Sequence, residues 1–173
     1  IERYRSIVEE DAADLDALQA LHGLHEAGEQ WDDLHEVVGR ELVLAVEGVE
    51  GAGDPIDLKM QLGRIELNAL GKTAAAVARF QEILDAQPAH AGARQALEGL
   101  LDDPDFRAQV AGILEPIYQD AGLWEPLVRS LEIQLEETEE TERRVELLER
   151  IGTLHINRTA DIDWLVDKLR HHG

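Results

Sequence analysis

Apolar residues recur at helical spacing along most of the chain, most clearly in residues 57–88. Two apolar stripes lie there on either side of Gly71: Leu58, Leu62, Ile65 and Leu67, then Val77, Phe80, Ile83 and Leu84. Because neither stripe would hold a helix in water alone, the pattern predicts two helices packed against each other. Gly71 is expected to cap the first helix, and Pro88 to end the second. The small Gly63 predicts a close approach of the two helices.

The same pattern predicts helices along the rest of the chain. They cover residues 1–10, 14–27, 31–47, 89–101, 105–121, 145–155 and 161–171, with one more beginning near Trp124. Asp14 and Asp103 are predicted N-caps, and residues 48–55 a glycine-rich loop. Pro116 predicts a kink or a break within residues 112–115.

Part of the pattern repeats at a fixed distance. Trp31, Leu34, Val38 and Leu42 are matched by Trp124, Leu127, Leu131 and Leu135, at a constant offset of 93 residues. Such self-similarity is typical of helical repeat proteins, in which stacked helix pairs share a continuous core.

Leu62-Gly63, then Ala76 and Phe80, then Pro88 resemble the tetratricopeptide repeat (TPR) pattern. The chain departs from that pattern in three ways. A leading tryptophan is absent, Glu66 stands where a tyrosine is usual, and the turn at Gly71 is one residue longer.

The resemblance implies an all-α fold, an α–α superhelix of antiparallel helix pairs with irregular insertions. We predict a single repeat domain over residues 1–173. Because the chain begins at Ile1, in the middle of a repeat, we expect it to be a fragment of a longer protein.

The acidic composition narrows the classes of partner. With 37 acidic and 16 basic residues the formal net charge is −21, which argues against nucleic-acid binding and against anionic membranes. No apolar run approaches the length of about 18 residues that a membrane span needs. The chain has no cysteine, which excludes disulfides and thiolate sites and fits a reducing, cytoplasmic compartment.

Candidate chemistry is sparse. Neither serine, Ser6 or Ser130, lies in a nucleophile turn, so we predict no enzymatic activity. Three histidines on two neighbouring predicted helices, His22, His25 and His35, are a candidate zinc site. Half-buried histidines beside a leucine stripe are the alternative, which we favour because spacing alone supplies no convergent geometry. We therefore predict no metal and no cofactor.

The TPR resemblance also implies a concave groove that binds a partner protein or peptide, lined by the first helix of each pair. Carried over by position, the groove residues are Asp57, Met60, Arg64, Asn68, Gln109, Gln119, Glu146, Glu149, Thr153 and Asn157. Met60 and Arg64 replace the lysine and asparagine of the family's carboxylate clamp. An acidic, amide-rich groove favours a basic or mixed peptide.

Two alternatives remain beside a protein-binding scaffold. One is a structural module that self-assembles through exposed ends at residues 1–8 and 164–169. The other is a metal-dependent protein that uses the three histidines. The oligomeric state is left open by the sequence. Trp31 and Trp124 are either anchors for a partner or packing residues at helix starts, and their matched placement favours packing.

Overall fold

The computed structural model describes the backbone of residues 1–171 and the side chains of residues 1–157. Within this part the chain forms α-helices and no strand, so the predicted all-α fold is confirmed. The helices are α1 (Glu2–Glu10), α2 (Leu15–Ala27), α3 (Trp31–Val46), α4 (Pro55–Asn68), α5 (Thr73–Ala86), α6 (Ala91–Glu98), α7 (Arg107–Asp120), α8 (Trp124–Glu137) and α9 (Thr141–His171).

Helices pack mainly on their neighbours in sequence. The chain of contacts runs from α1 through α2, α3 and α4 to α5, and again from α7 through α8 to α9. Within each of these two runs, the serial packing is compatible with a superhelix. The chain divides into two compact units, residues 1–96 and residues 97–173, which are described separately below. The single repeat domain stays a prediction.

Two apolar clusters form part of the core of the first unit. One joins α1, α2 and α3 through residues such as Val8, Leu18 and Val37. The other joins α3 and α4 through Leu34, Val38, Leu42, Leu58, Leu62 and Ile65. The second cluster consists of residues from the predicted stripes, so hydrophobic periodicity identifies the buried faces of α3 and α4.

The α4–α5 pair packs closely, as its small residues predict. A Cβ atom added to Gly63 would lie 2.6 Å from Cε1 of Phe80, whose side chain is fully buried. Glycine at this position therefore lets the aromatic ring lie directly against the backbone of α4.

The predicted ends of α2 and the predicted glycine-rich loop are also found. The Asp14 carboxylate accepts a hydrogen bond from the backbone N–H of Ala17, and Gly28 follows the last turn. In the loop before α4, Gly48, Gly51 and Gly53 have φ angles of +81°, +87° and +98°, which side-chain-bearing residues rarely adopt.

Three local predictions are wrong. The helix α7 continues through Pro116 without the predicted break, and Val110, Ala111, Leu114 and Tyr118 are buried on both sides of it; the alternative, a kink, stays a prediction. Asp103 closes a turn by accepting from the N–H of Asp105, and α7 begins only at Arg107.

The third concerns the C-terminal helices, predicted as two over residues 145–155 and 161–171. They form one helix, α9, since residues 156–160 contain neither glycine nor proline to end it. Trp164, Leu165 and Leu169, named in the prediction for this region, have side chains outside the described residues. Among the described residues, no helix combines the length and the apolar character that crossing a bilayer requires.

Candidate functional site

An open cavity of about 950 Å³ extends along α4 in the first unit, and we call it the first groove. Its lining comes from α2, α3, α4 and the segment before α6: Glu26, Trp31, Leu34, Asp57, Met60, Gln61, Arg64, Ile65, Asn68, Ala69 and His90. Leu34, Met60 and Ile65 are buried and give the groove an apolar base, whereas Asp57, Arg64 and Asn68 are exposed.

All four residues that the TPR resemblance assigns to α4 lie in this groove. Asp57, Met60, Arg64 and Asn68 are spaced by three or four residues, which places them on one face of the helix. No ion pair among the described side chains engages Asp57 or Arg64. Both charges are thus available to a ligand.

Two aromatic residues outside α4 also line the first groove: the sequence pattern left Trp31 open as an anchor but favoured packing, and it indicated no role for His90. Trp31 is 37% exposed and lines the groove, although its repeat-matched position favoured a packing role. His90 also lines it, and its Nδ1 accepts from the backbone N–H of Ala93, at the start of α6. The remaining ring nitrogen of His90, Nε2, then carries the proton and is a potential donor.

A polar chain crosses from α2 to α4 beside the groove. The Nδ1–H of His22 donates to Oε2 of Glu41 over 2.6 Å, and Nε2 of His22 lies 2.9 Å from Nε2 of Gln61. Glu41 is buried, and its hydrogen bond raises the pKa of His22 above the ordinary value of 6.5. Burial of His22 opposes this shift, while the charges of Glu41 and Glu26 add to it.

A second polar cluster joins α3, α4 and α5. Oε1 of Glu66 accepts from Nε2 of His35 at 2.9 Å and from Nη2 of Arg79 at 3.1 Å. Glu66 is 2% exposed, and its Oε2 has no hydrogen-bond partner. The donors on His35 and Arg79 therefore compensate the buried charge of Glu66, which stands where the TPR pattern has a tyrosine.

The three histidines do not converge. His22 contacts Glu41, His35 contacts Glu66, and Nδ1 of the buried His25 donates to Oε1 of Gln30 at 2.8 Å. In the part of the chain whose side chains are described, no three His, Asp or Glu residues are placed to hold a metal ion. His22 and His35, which are partly buried, instead connect helices by hydrogen bonds, whereas His25 is fully buried.

A smaller cavity of about 560 Å³ lies in the second unit, and we call it the second groove. It is lined by Gln119, Leu127, Glu146, Glu149, Arg150, Thr153 and Leu154. Four of these are residues that the sequence assigns to a groove: Gln119, Glu146, Glu149 and Thr153. Arg150 donates to Glu115 over 2.5 Å and to Gln119 over 3.2 Å, so its charge is already engaged.

Two predicted groove residues line neither groove. Gln109 precedes Gln119 by ten residues, which separates the two side chains by about 80° around α7. Asn157 shares the face of Thr153 on α9 but lies one turn beyond the last residues that line the second groove.

Comparison of the chain with protein-family models, with curated proteins and with solved structures gives no match.

The first groove offers an apolar base, an exposed indole, amides and uncompensated charges of both signs. These groups suit the non-covalent binding of an extended peptide segment, which needs pockets for apolar side chains and partners for its backbone amides.

Proposed function

We propose that this chain is a TPR-like scaffold that binds a partner protein without enzymatic activity, using the first groove as its main site. The supporting observation is the convergence of Asp57, Met60, Arg64 and Asn68 on one open cavity. The proposed partner is a basic or mixed peptide segment, because the net charge is −21 and Glu26 and Asp57 lie in the groove. A cytoplasmic setting fits the absence of cysteine.

Random peptides displayed on phage and selected on the whole chain test this proposal. We expect enriched peptides that carry a basic residue and an apolar anchor. Arg64→Ala and Asn68→Ala should weaken these peptides about tenfold, the effect of losing a charge-assisted hydrogen bond. Lys72→Ala is the matched control, since Lys72 is exposed and lies outside both grooves.

Enrichment of no peptide would contradict the proposal. So would peptides whose affinities respond equally to Arg64→Ala and Lys72→Ala. Chemical-shift mapping of a selected peptide on the labelled chain would show directly whether it lies along α4 or elsewhere.

A second candidate function is self-association through α9. Val145, Leu148 and Ile156 are 50%, 53% and 69% exposed along the outside of this helix. Sedimentation equilibrium of the wild type and of Leu148→Glu tests it: a dimer that the substitution dissociates would favour self-association, and a monomer at high concentration would exclude it.

A further inference from the structure

His22 lies between a carboxylate and an amide, and its two contacts define its protonation state. Glu41 as a carboxylate only accepts, so Nδ1 of His22 donates over the 2.6 Å contact. On the other side of the ring, Nε2 of His22 faces the amide nitrogen of Gln61 at 2.9 Å. An amide nitrogen only donates, so Nε2 must accept. The arrangement requires a neutral imidazole with its proton on Nδ1.

A proton added at Nε2 would make this contact unfavourable, because two donors would then face each other. The amide of Gln61 can relieve the conflict by half a turn about its last side-chain bond, which brings its carbonyl oxygen to Nε2–H. Gln61 also lines the first groove. Before the half-turn the carbonyl oxygen of Gln61 is left to face a ligand in the groove, and after it the NH2 group is.

We propose that His22 and Gln61 form a proton-controlled switch: the first groove offers a hydrogen-bond acceptor at Gln61 when His22 is neutral and a donor when it is protonated. The switch is a property of the chain itself, whereas its effect on binding rests on the proposed function. Basic peptides rich in donors should then bind more tightly as the pH rises through the transition.

The charged groups around the switch set the pH at which it acts. Glu41 faces His22 from α3 and Glu26 from its own helix, while α4 contributes Asp57 and Arg64 along the same groove. Two charged residues of α1, Arg5 and Glu9, line a separate cavity with His25. Because the hydrogen bond to Glu41 raises the pKa of His22, the transition lies above pH 6.5.

Nuclear magnetic resonance of the wild-type chain tests the switch without any ligand. Above the transition, the ¹⁵N shifts of His22 should show the Nδ1–H tautomer, and a scalar coupling should connect its Nε2 with the side-chain nitrogen of Gln61. Below it, the coupling should vanish, and the amide signals of Gln61 should move with the same midpoint as the ring of His22.

Gln19 provides an internal control, because its amide donates to the carbonyl oxygen of Gly51 and not to His22. Its amide signals should not follow the His22 midpoint. Gln61 signals that stay constant through the His22 titration would overturn the proposal. A neutral His22 with its proton on Nε2 would overturn it as well.

Binding provides a second readout that can fail separately. A donor-rich peptide selected on the chain should gain about three- to tenfold in affinity across the His22 transition, the value of one net hydrogen bond. Gln61→Glu, which presents an acceptor in both states, should remove most of this gain. If no peptide binds, the proposed function fails while the spectroscopic result stands, and equal pH dependence in the wild type and Gln61→Glu would contradict the switch as the cause.

Discussion

At the residue scale, the core of the first unit is marked by carboxylates that are buried with a histidine partner from the preceding helix. Glu41 is 3% exposed and meets His22, and Glu66 is 2% exposed and meets His35. A buried carboxylate is costly unless its charge is compensated, so each pair constrains which helix can lie beside which.

Glu66→Gln removes the charge that His35 and Arg79 share. Because both donors are partly exposed, we expect a loss of about 1–3 kcal/mol in the free energy of unfolding, the range of a hydrogen bond to a charged group. Urea titration measures it. Glu36→Gln, which breaks the exposed pair with Arg40, should cost less than about 0.5 kcal/mol, and equal losses would contradict this assignment.

His22 should make stability depend on pH. Its folded pKa is raised above 6.5, so the folded state binds the proton more tightly than the unfolded chain does. The resulting stabilisation is complete below pH 6.5 and is lost as the pH rises through the raised pKa. The difference in unfolding free energy between the wild type and His22→Gln should shrink over that interval. A difference that stays constant with pH would show that His22 titrates normally.

Gly63→Ala tests the close packing of α4 on α5. The added Cβ atom would lie 2.6 Å from the buried ring of Phe80, so we expect a destabilisation of about 1–3 kcal/mol in spite of alanine's higher helix propensity. Gly39→Ala in α3 is the matched control: nothing lies within 4 Å of its added Cβ, and we expect a gain of about 0.5–1 kcal/mol. Thermal unfolding of both variants gives the comparison.

At the element scale, side-chain caps hold only some of the helix starts. Asp54 begins α4 by accepting from the backbone N–H groups of Ile56 and Asp57, and Pro55 occupies the first turn. By contrast, α3, α5, α7 and α8 begin without a side-chain cap. The start of α4, the helix that lines most of the first groove, is therefore fixed by side-chain hydrogen bonds.

Asp54→Ala should loosen the first turn of α4, which carries Asp57. The expected cost is about 1 kcal/mol, with lower hydrogen-exchange protection confined to the start of α4. Asp54→Asn keeps a capping oxygen and should retain most of the stability. Equal losses in the two variants would assign the effect to the charge of Asp54 and not to its hydrogen bonds.

The sequence predicts most elements because each has a local signal. Apolar periodicity identifies the helix faces, Asp14 identifies the start of α2, and glycines mark the loop before α4. The break predicted at Pro116 is wrong because proline disfavours a helix only locally. The burial of the neighbouring residues of α7 depends on tertiary packing, which the local sequence does not show. The predicted interruption between residues 155 and 161 is wrong because residues 156–160, although weak in helical periodicity, contain no residue that would end a helix.

The candidate site was only partly predictable for a related reason. Positions on one helix, such as Asp57, Arg64 and Asn68, share a face by spacing alone. Groups from different helices, such as Gln61 hydrogen-bonded to His22 or Trp31 lining the same groove as α4, are brought together only by the placement of the helices. The buried state of Glu66 had one sequence signal, its place in the TPR pattern where an aromatic residue is usual.

At the scale of the whole molecule, negative charge exceeds what the observed ion pairs can neutralise. With 37 acidic and 16 basic residues, most carboxylates have no cation available to them. Exposed pairs such as Arg5–Asp33 and Arg129–Asp102 contribute little in water. Repulsion among the remaining carboxylates should therefore dominate the electrostatics of the folded chain.

Salt should stabilise the folded chain. Raising sodium chloride from about 10 mM to about 150 mM shortens the screening length from about 30 Å to about 8 Å and weakens this repulsion. We expect the melting temperature measured by circular dichroism to rise with salt. Sucrose at matched osmolality is the uncharged control, and it should not reproduce the part of the rise that depends on ionic strength. A fall with salt would mean that ion pairs outweigh repulsion.

The buried histidine–carboxylate pairs have a consequence for engineering with these helices. Each pair matches one particular neighbour: His22 of α2 needs Glu41 of α3, and Glu66 of α4 needs both His35 of α3 and Arg79 of α5. If the helix pairs were shuffled into a new order, these ionisable groups would face apolar surfaces and lose their partners. The modules of this chain are therefore not interchangeable building blocks, and a designer would have to transplant both halves of each pairing together.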